Sequence, residues 1–255
     1  MSILANANIS TTSLGVDQEI DSLGGYSPLP SGLYPCKIDQ AYLEVSAAGA
    51  IALVLDLQIP MGSNKPRIHK EKLWIQGGER TGKKNWYENK QGQKKYLPGF
   101  NMANNIALLT VGKELPTLIE EDKVINKFSY EAKKEVPTKV VMLTELLGQE
   151  FLGGILHRVE NAKTLDGNEW IDDPSGKTKE LNVLDKAFRA SDLLTVAEIK
   201  DGKTQGAFSP VWEKKWAGET QNAVQPVTKG QQAPSSASAA VTEKPKESLF
   251  AAPQS

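Results

Sequence analysis

The chain has 255 residues, 39% of them hydrophobic, with 30 Lys or Arg against 31 Asp or Glu. That length holds one large domain or two small ones, and the apolar fraction is enough for a core. With no apolar run of about 18 residues, one cysteine and two histidines, the composition argues against a membrane span, an internal disulfide and a standard zinc site.

Residues 1–30 are small and polar and end in Gly24-Gly25 and Pro28-Leu29-Pro30, which predicts a flexible N-terminal arm. The opening MSILANANISTTS has neither the charged start nor the apolar block of a secretory signal, so action in the cytoplasm is expected. From Leu33 the pattern is β. Leu33 to Val45 reads as a strand carrying Cys36 as a core thiol, and Ala47-Ala48-Gly49 as a hairpin turn. In residues 51–59, Ile51, Leu53, Leu55, Leu57 and Ile59 alternate with Ala52, Val54, Asp56 and Gln58, the signature of a half-buried strand. Arg67 to Gln76 is a third strand. A helix capped by Asn101 follows, with Met102, Ile106 and Leu109 at helical spacing and Gly112 as its stop. Val124 to Tyr130, Val136 to Thr144 and Glu150 to Glu160 read as further strands, with Gly153-Gly154 marking a bulge or sharp coil.

Three strands, a helix, then at least two strands is the order of an OB-fold. That fold is a Greek-key barrel whose second and third strands bind oligonucleotides. Beyond it, Glu169 to Ile171 and Leu181 to Arg189 suggest a hairpin-like pair across a DDPSG turn. Thr195 with Glu198 suggests a capped helix over residues 196–201 ended by Gly202. Trp212 and Trp216 share a helix face and read as a final packing element, in preference to a second base-stacking patch. The expected domain spans residues 31–217. Residues 218–255, rich in Pro, Gln, Ser and Ala, are expected to form a disordered tail. Leu249-Phe250 near its end is either a weak partner-docking peptide or a chance pair.

The segment from Arg67 to Phe100 carries the functional signal. It holds nine Lys or Arg against three Glu, although the chain as a whole is balanced. Arg67, Lys70, Lys72, Arg80, Lys83, Lys84, Lys90, Lys94 and Lys95 are candidates to track phosphates. Trp74, Trp86, Tyr87 and Tyr96 are candidates to stack on bases, with Phe100 a weaker one. Alternation on the third strand puts Ile68, Lys70, Lys72, Trp74 and Gln76 on one face and His69, Leu73 and Ile75 on the other. Lysine stems covering a surface Trp would give the same pattern by ordinary packing. Residues 80–95 read as a flexible basic-aromatic loop that closes over a strand.

Catalysis has little support. The sequence holds no GxxxxGK[ST] and no GxGxxG. Lys70, Glu71 and Lys72 are adjacent, which is the wrong spacing for a nuclease site built with Asp56. His69 and His157 lie beside no recognisable nucleophile motif. A non-enzyme without cofactor or metal is therefore expected. A protein-interaction module acting on replication or transcription machinery is the main alternative, and a metal-dependent nuclease a lesser one.

The runs LPSGLYPCKIDQAYLE, NKQGQKKYLPGFNMANNIALLTVGKEL, VPTKVVMLTELLGQEFLGGIL and DKAFRASDLLTVAEI resemble single-stranded DNA-binding proteins of tailed bacteriophages. The resemblance spans roughly residues 10 to 200, and YLPGFNMANNIALLTVGKEL is its most distinctive part. It implies an OB-type domain that coats single-stranded DNA in the infected bacterial host during replication and recombination, without cofactor or turnover. Homo-oligomers are compatible with it. Many proteins of this functional class recruit replication partners through an acidic C-terminal tip. Here the end is neutral, with Glu219, Glu243 and Glu247 against Lys229, Lys244 and Lys246.

Overall fold

The computed structural model describes residues 27–226, apart from 63–64, 130–131 and 168. The described chain is mainly β. The strands are β1 (Gly32–Val45), β2 (Ile51–Ile59), β3 (Arg67–Gln76), β4 (Trp86–Glu88), β5 (Lys94–Tyr96), β6 (Glu120–Ser129), β7 (Lys134–Leu143), β8 (Glu150–Asn161), β9 (Lys163–Asp166), β10 (Glu169–Asp172), β11 (Thr178–Arg189) and β12 (Thr220–Asn222). The α-helices are α1 (Pro98–Thr110), α2 (Val196–Lys200) and α3 (Phe208–Trp216).

An eight-stranded sheet runs β11-β8-β1-β2-β3, with β12 added to β8 and the β6–β7 hairpin added to β1. It does not close into a hydrogen-bonded barrel. Between its two ends, β3 and β11, the Glu71 carboxylate accepts the Leu184 N–H at 2.9 Å and pairs with His69 at 3.0 Å. Helix α1 packs against both of those strands.

The long strand β1 holds two neighbours along one edge. Its first half pairs with β8 and its second with β7. A bulge at Asp39 separates Ile38, opposite Leu57, from Gln40, opposite Asp56. One extra residue reverses the facing of everything after it. Cys36, Ile38, Ala41 and Leu43 therefore point into the core, while Tyr42 and Glu44 point to the outer face.

Strand β2 is buried more deeply than its alternation predicts. Leu53, Leu55, Leu57 and Ile59 belong to the main core, and Ala52 and Val54 on the other face are also fully covered. The cover over Val54 is the β6–β7 hairpin, whose Ile125, Val140 and Met142 pack with Tyr42 and Val54.

Helix α1 begins at Pro98, three residues before the expected cap. Proline suits the first helical turn because its missing N–H has no partner there, and Asn101 sits inside the helix instead. Ala103, Ile106, Ala107 and Leu109 form its buried face, and Gly112 ends it with φ +75. At the start, a Cβ on Gly99 would lie 2.4 Å from the Trp74 carbonyl oxygen. Only glycine lets the helix approach β3 this closely.

Gly153 and Gly154 mark a close approach, and the bulge lies on the partner strand. Both pair regularly with β1, while β11 slips at Asp185. A Cβ on Gly154 would meet the Trp212 ring at 2.9 Å. The bulged Asp185 accepts the Trp212 indole N–H at 2.7 Å. Trp212 is a packing element, buried edge-on against Phe188, and Trp216 is partly buried beside it with Lys215 over its ring.

Other boundaries shift. Strand β10 pairs with β9, and β11 pairs with β8, so the expected pairing of residues 169–171 with 181–189 is replaced by a small hairpin at the tip of a longer one. The expected N-terminal arm is fixed at its end, where Leu29 is buried and exchanges two 2.8 Å hydrogen bonds with the Asn182 side chain. The expected tail contains order too. Strand β12 runs parallel to β8, and Gly218 N–H donates to the Ser31 carbonyl at 2.8 Å. The capped helix is present as α2, with Thr195 and Glu198 forming a reciprocal capping box.

Candidate nucleic-acid interface

The outer face of β3 presents Ile68, Lys70, Lys72 and Trp74 as the alternation predicts, with His69 and Leu73 buried behind. Trp74 is 40% exposed, and the Lys72 ammonium lies 4.9 Å above its ring. Arg67 belongs to the opposite face. Its guanidinium donates to the Ser27 carbonyl at 2.8 Å, so it braces the N-terminal segment away from the other cations.

The sequence concealed the counterions of this face. Register places Asp56 opposite Lys70, and Lys70 Nζ lies 2.8 Å from an Asp56 carboxylate oxygen. Lys72 binds Glu44 at 2.6 Å, across β2. Lys127 from β6 binds the other oxygen of the same carboxylate. Partial burial opposes ionisation of Glu44, but hydrogen bonds from Lys127 and Lys72 outweigh it and hold its carboxyl below the ordinary range. Burial likewise opposes the charge on Lys70, and Asp56 overrides it, so its pKa is raised. Both ammonium groups Lys70 and Lys127 also stand over the Tyr42 ring, which is buried and closed to stacking.

The segment expected as a flexible loop is a short 3₁₀ turn, Glu79–Thr81, followed by the β4–β5 hairpin. Backbone bonds tie it to the body: Glu79 N–H to Ala48 C=O and Gly77 N–H to Lys84 C=O, both at 2.9 Å, and Leu97 N–H to Asn85 C=O at 2.8 Å. Trp86 pairs directly with Tyr96, and Tyr87 with Lys95. Alternation therefore divides the hairpin, with Trp86, Lys94 and Tyr96 on one face and Tyr87 and Lys95 on the other.

Trp86 is half-buried beneath two ammonium groups, Lys84 at 4.5 Å and Lys94 at 4.7 Å from the ring. Tyr96 is 54% exposed and packs on Phe100, with centroids 5.0 Å apart. Phe100 follows Gly99, which is pressed against Trp74. The close approach at Gly99 is to the Trp74 backbone, so it fixes the start of α1, just after the hairpin, against the end of β3. Lys90 lies at the hairpin tip, in a turn where Asn89 binds Gln93. Arg80 and Lys83 are exposed on the preceding turn, with Lys83 3.9 Å from Glu79.

Of the residues expected from sequence, Lys70, Lys72 and Trp74 share the outer face of β3, while Trp86, Lys94 and Tyr96 share one face of the hairpin and Lys84 lies over the Trp86 ring. Arg67 is elsewhere, Tyr87 and Lys95 point to the hairpin's other face, and Leu249 and Phe250 lie outside the described residues. Sequence reasoning missed Glu44 and Lys127. The alternation of Lys123, Ile125 and Lys127 on β6 was a usable signal, but only the folded hairpin shows that this face turns towards β1.

Among the described residues, no three His, Cys, Asp or Glu side chains are grouped to hold a metal ion, and no helix is long and apolar enough to cross a membrane. Compared with family models and with curated proteins, the chain matches none.

Proposed function

We propose that the protein binds single-stranded DNA with little sequence preference, without turning it over, as an OB-type domain. The observation that carries this reading is a repeated pairing of accessible aromatic rings with ammonium groups: Lys72 over Trp74 on β3, and Lys84 and Lys94 over Trp86 on the hairpin, where Tyr96 is its exposed cross-strand partner. Aromatic faces stack on any base and ammonium groups attract any phosphate, so such a surface favours unpaired strands over a particular sequence. The strand order β3-β2-β1-β8-β11, with α1 following β3, supports the OB reading. In this reading the Glu71–Leu184 contact stands where a closing ladder would run, and β6–β7 is an insertion over the outer face. The resemblance to phage single-stranded DNA-binding proteins extends the proposal to coating displaced strands in replication and recombination.

Titration of the intrinsic tryptophan fluorescence with a thymidine oligomer of about 30 nucleotides tests it, at low and high salt and beside a matched duplex. Quenching by the single strand that weakens with salt is expected. An absent response, matched by an absent gel shift, overturns the reading.

A protein partner is the second reading. It is favoured by the cross-strand pair Leu165 and Trp170 at the tip of β9–β10, 56% and 65% exposed. A Trp170→Ala variant that binds DNA like the parent but loses a replication protein would assign that tip to the partner.

A further inference from the structure

The Glu44 carboxylate draws lysines from two separate elements to one point. Lys72 comes from β3 and Lys127 from the β6–β7 hairpin, and both bind it. The three line a shallow groove of about 280 Å³ between the sheet face and the hairpin, together with Ser46, Thr138 and Lys139. Two ammonium groups face one carboxylate, so the trio keeps a positive charge. The Ser46 hydroxyl, whose oxygen accepts the Ala50 N–H, can donate its own proton to an oxyanion, while the Thr138 hydroxyl donates to the Val136 carbonyl. Lys139 is balanced by Asp122 at 2.8 Å.

We propose that this groove is a phosphodiester subsite, and that Glu44 occupies in the free protein the place a strand phosphate takes when bound. The proposal rests on the single-strand reading above and adds a path to it. Lys72 belongs to both regions, because it lines the groove and also stands over Trp74. A strand whose base stacks on Trp74 has its backbone beside Lys72, and Lys72 shares the Glu44 carboxylate with Lys127. An arriving phosphate replaces the carboxylate as partner of the two lysines. Glu44 thereby lowers affinity and confines the site to ligands that engage the neighbouring aromatics as well. A bare anion gains only the exchange of one partner for another, whereas a strand adds stacking.

The groove and the β3 face meet because of the bulge at Asp39. Without the extra residue, Glu44 would share the facing of Ile38 and point into the core.

The test is the affinity and salt dependence of the same thymidine oligomer for the parent, Glu44→Gln and Lys127→Ala, with thymidine monophosphate as competitor and thermal melting as a check on folding. Glu44→Gln keeps the shape and removes the charge. Freeing one cation should tighten binding about fivefold, and steepen the slope of log K against log salt by about 0.7. Lys127→Ala should weaken binding by a similar factor and make the slope shallower by about 0.7. Thymidine monophosphate should compete poorly against all three proteins.

If the parent binds the oligomer and both variants match it in affinity and slope, the groove lies off the strand's path and the proposal falls, while the single-strand reading survives. Competition by the mononucleotide as effective as that by the strand would make this a small-anion site and overturn the continuous path. A parent that binds no single strand removes both.

Discussion

Trp212 and Trp86 each sit among lysines in the sequence, yet the fold uses them in opposite ways. Trp212 is 2% exposed, lies edge-on to Phe188, and gives its indole N–H to Asp185. Two glycines on β8 clear space around it and around Cys36. Trp86 lies on a two-stranded hairpin outside the main sheet, with two ammonium groups over its ring and Tyr96 as its cross-strand partner. A buried tryptophan with its polar atom satisfied is part of the core. One that is only half-buried, with exposed lysines over its ring, is open to exchange, because water or a ligand can replace the lysines at little cost. Nearby lysines therefore do not distinguish the two. The satisfied indole N–H and the depth of burial of Trp212 do.

The largest expected effect breaks the comparison on the core side. Trp212→Ala should destabilise the fold by about 3–5 kcal/mol through the cavity and the unpaired Asp185, read as a lowered denaturation midpoint. A loss under about 1 kcal/mol would put Trp212 in the same class as Trp86. Next in size is Glu71→Ala, which leaves the Leu184 N–H without its partner at the junction of β3 and β11. It should cost about 1–3 kcal/mol of stability. A neutral outcome would mean that the two sheet ends are held by α1 alone.

On the other side, Trp86→Ala should cost about 1–3 kcal/mol of single-strand binding, and change stability by no more than about 1 kcal/mol, since only exposed cation–ring contacts and one cross-strand pair are lost. Trp86 is half-buried, not exposed, so an unfolded variant would make the hairpin aromatic a core residue and remove the contrast. A smaller effect separates two chain lengths. A chain ending at residue 226 keeps β12, while one ending at 217 loses its pairing with β8, and should melt lower by a few degrees, corresponding to about 1 kcal/mol. Equal melting would show that β12 adds nothing to the core region.

The smallest expected signal is chemical silence at Cys36. Burial pushes its thiol up to about 12, so it stays neutral in the native protein at pH 8. It should react with a disulfide reagent only after unfolding, whereas the unfolded chain, near the ordinary value of 9.0, reacts readily. The sign is that of a raised pKa: the preference for the neutral thiol stabilises the fold below the unfolded value and is lost as pH rises towards the folded one. Rapid labelling of the native protein would break this expectation.

The sequence by itself determined the local elements. Alternation gave β2 and β3 at their observed bounds, the Thr195–Glu198 spacing gave the capping box of α2, and the facing of Lys70, Lys72 and Trp74 followed from the period of two. These depend on neighbours a few residues apart, so their signal is contiguous in the chain. Pairing across long separations was decided only by tertiary structure. Glu44 meets Lys127 across 83 residues and Glu71 meets Leu184 across 113. No local pattern marks such partners, because which distant charge meets which depends on register. Register itself turned on one inserted residue, Asp39, whose effect is to reverse a strand face and turn Glu44 outward to the two lysines. The flexible loop became a hairpin because cross-strand partners, Trp86 with Tyr96 and Tyr87 with Lys95, stabilise a turn that composition alone reads as solvated chain.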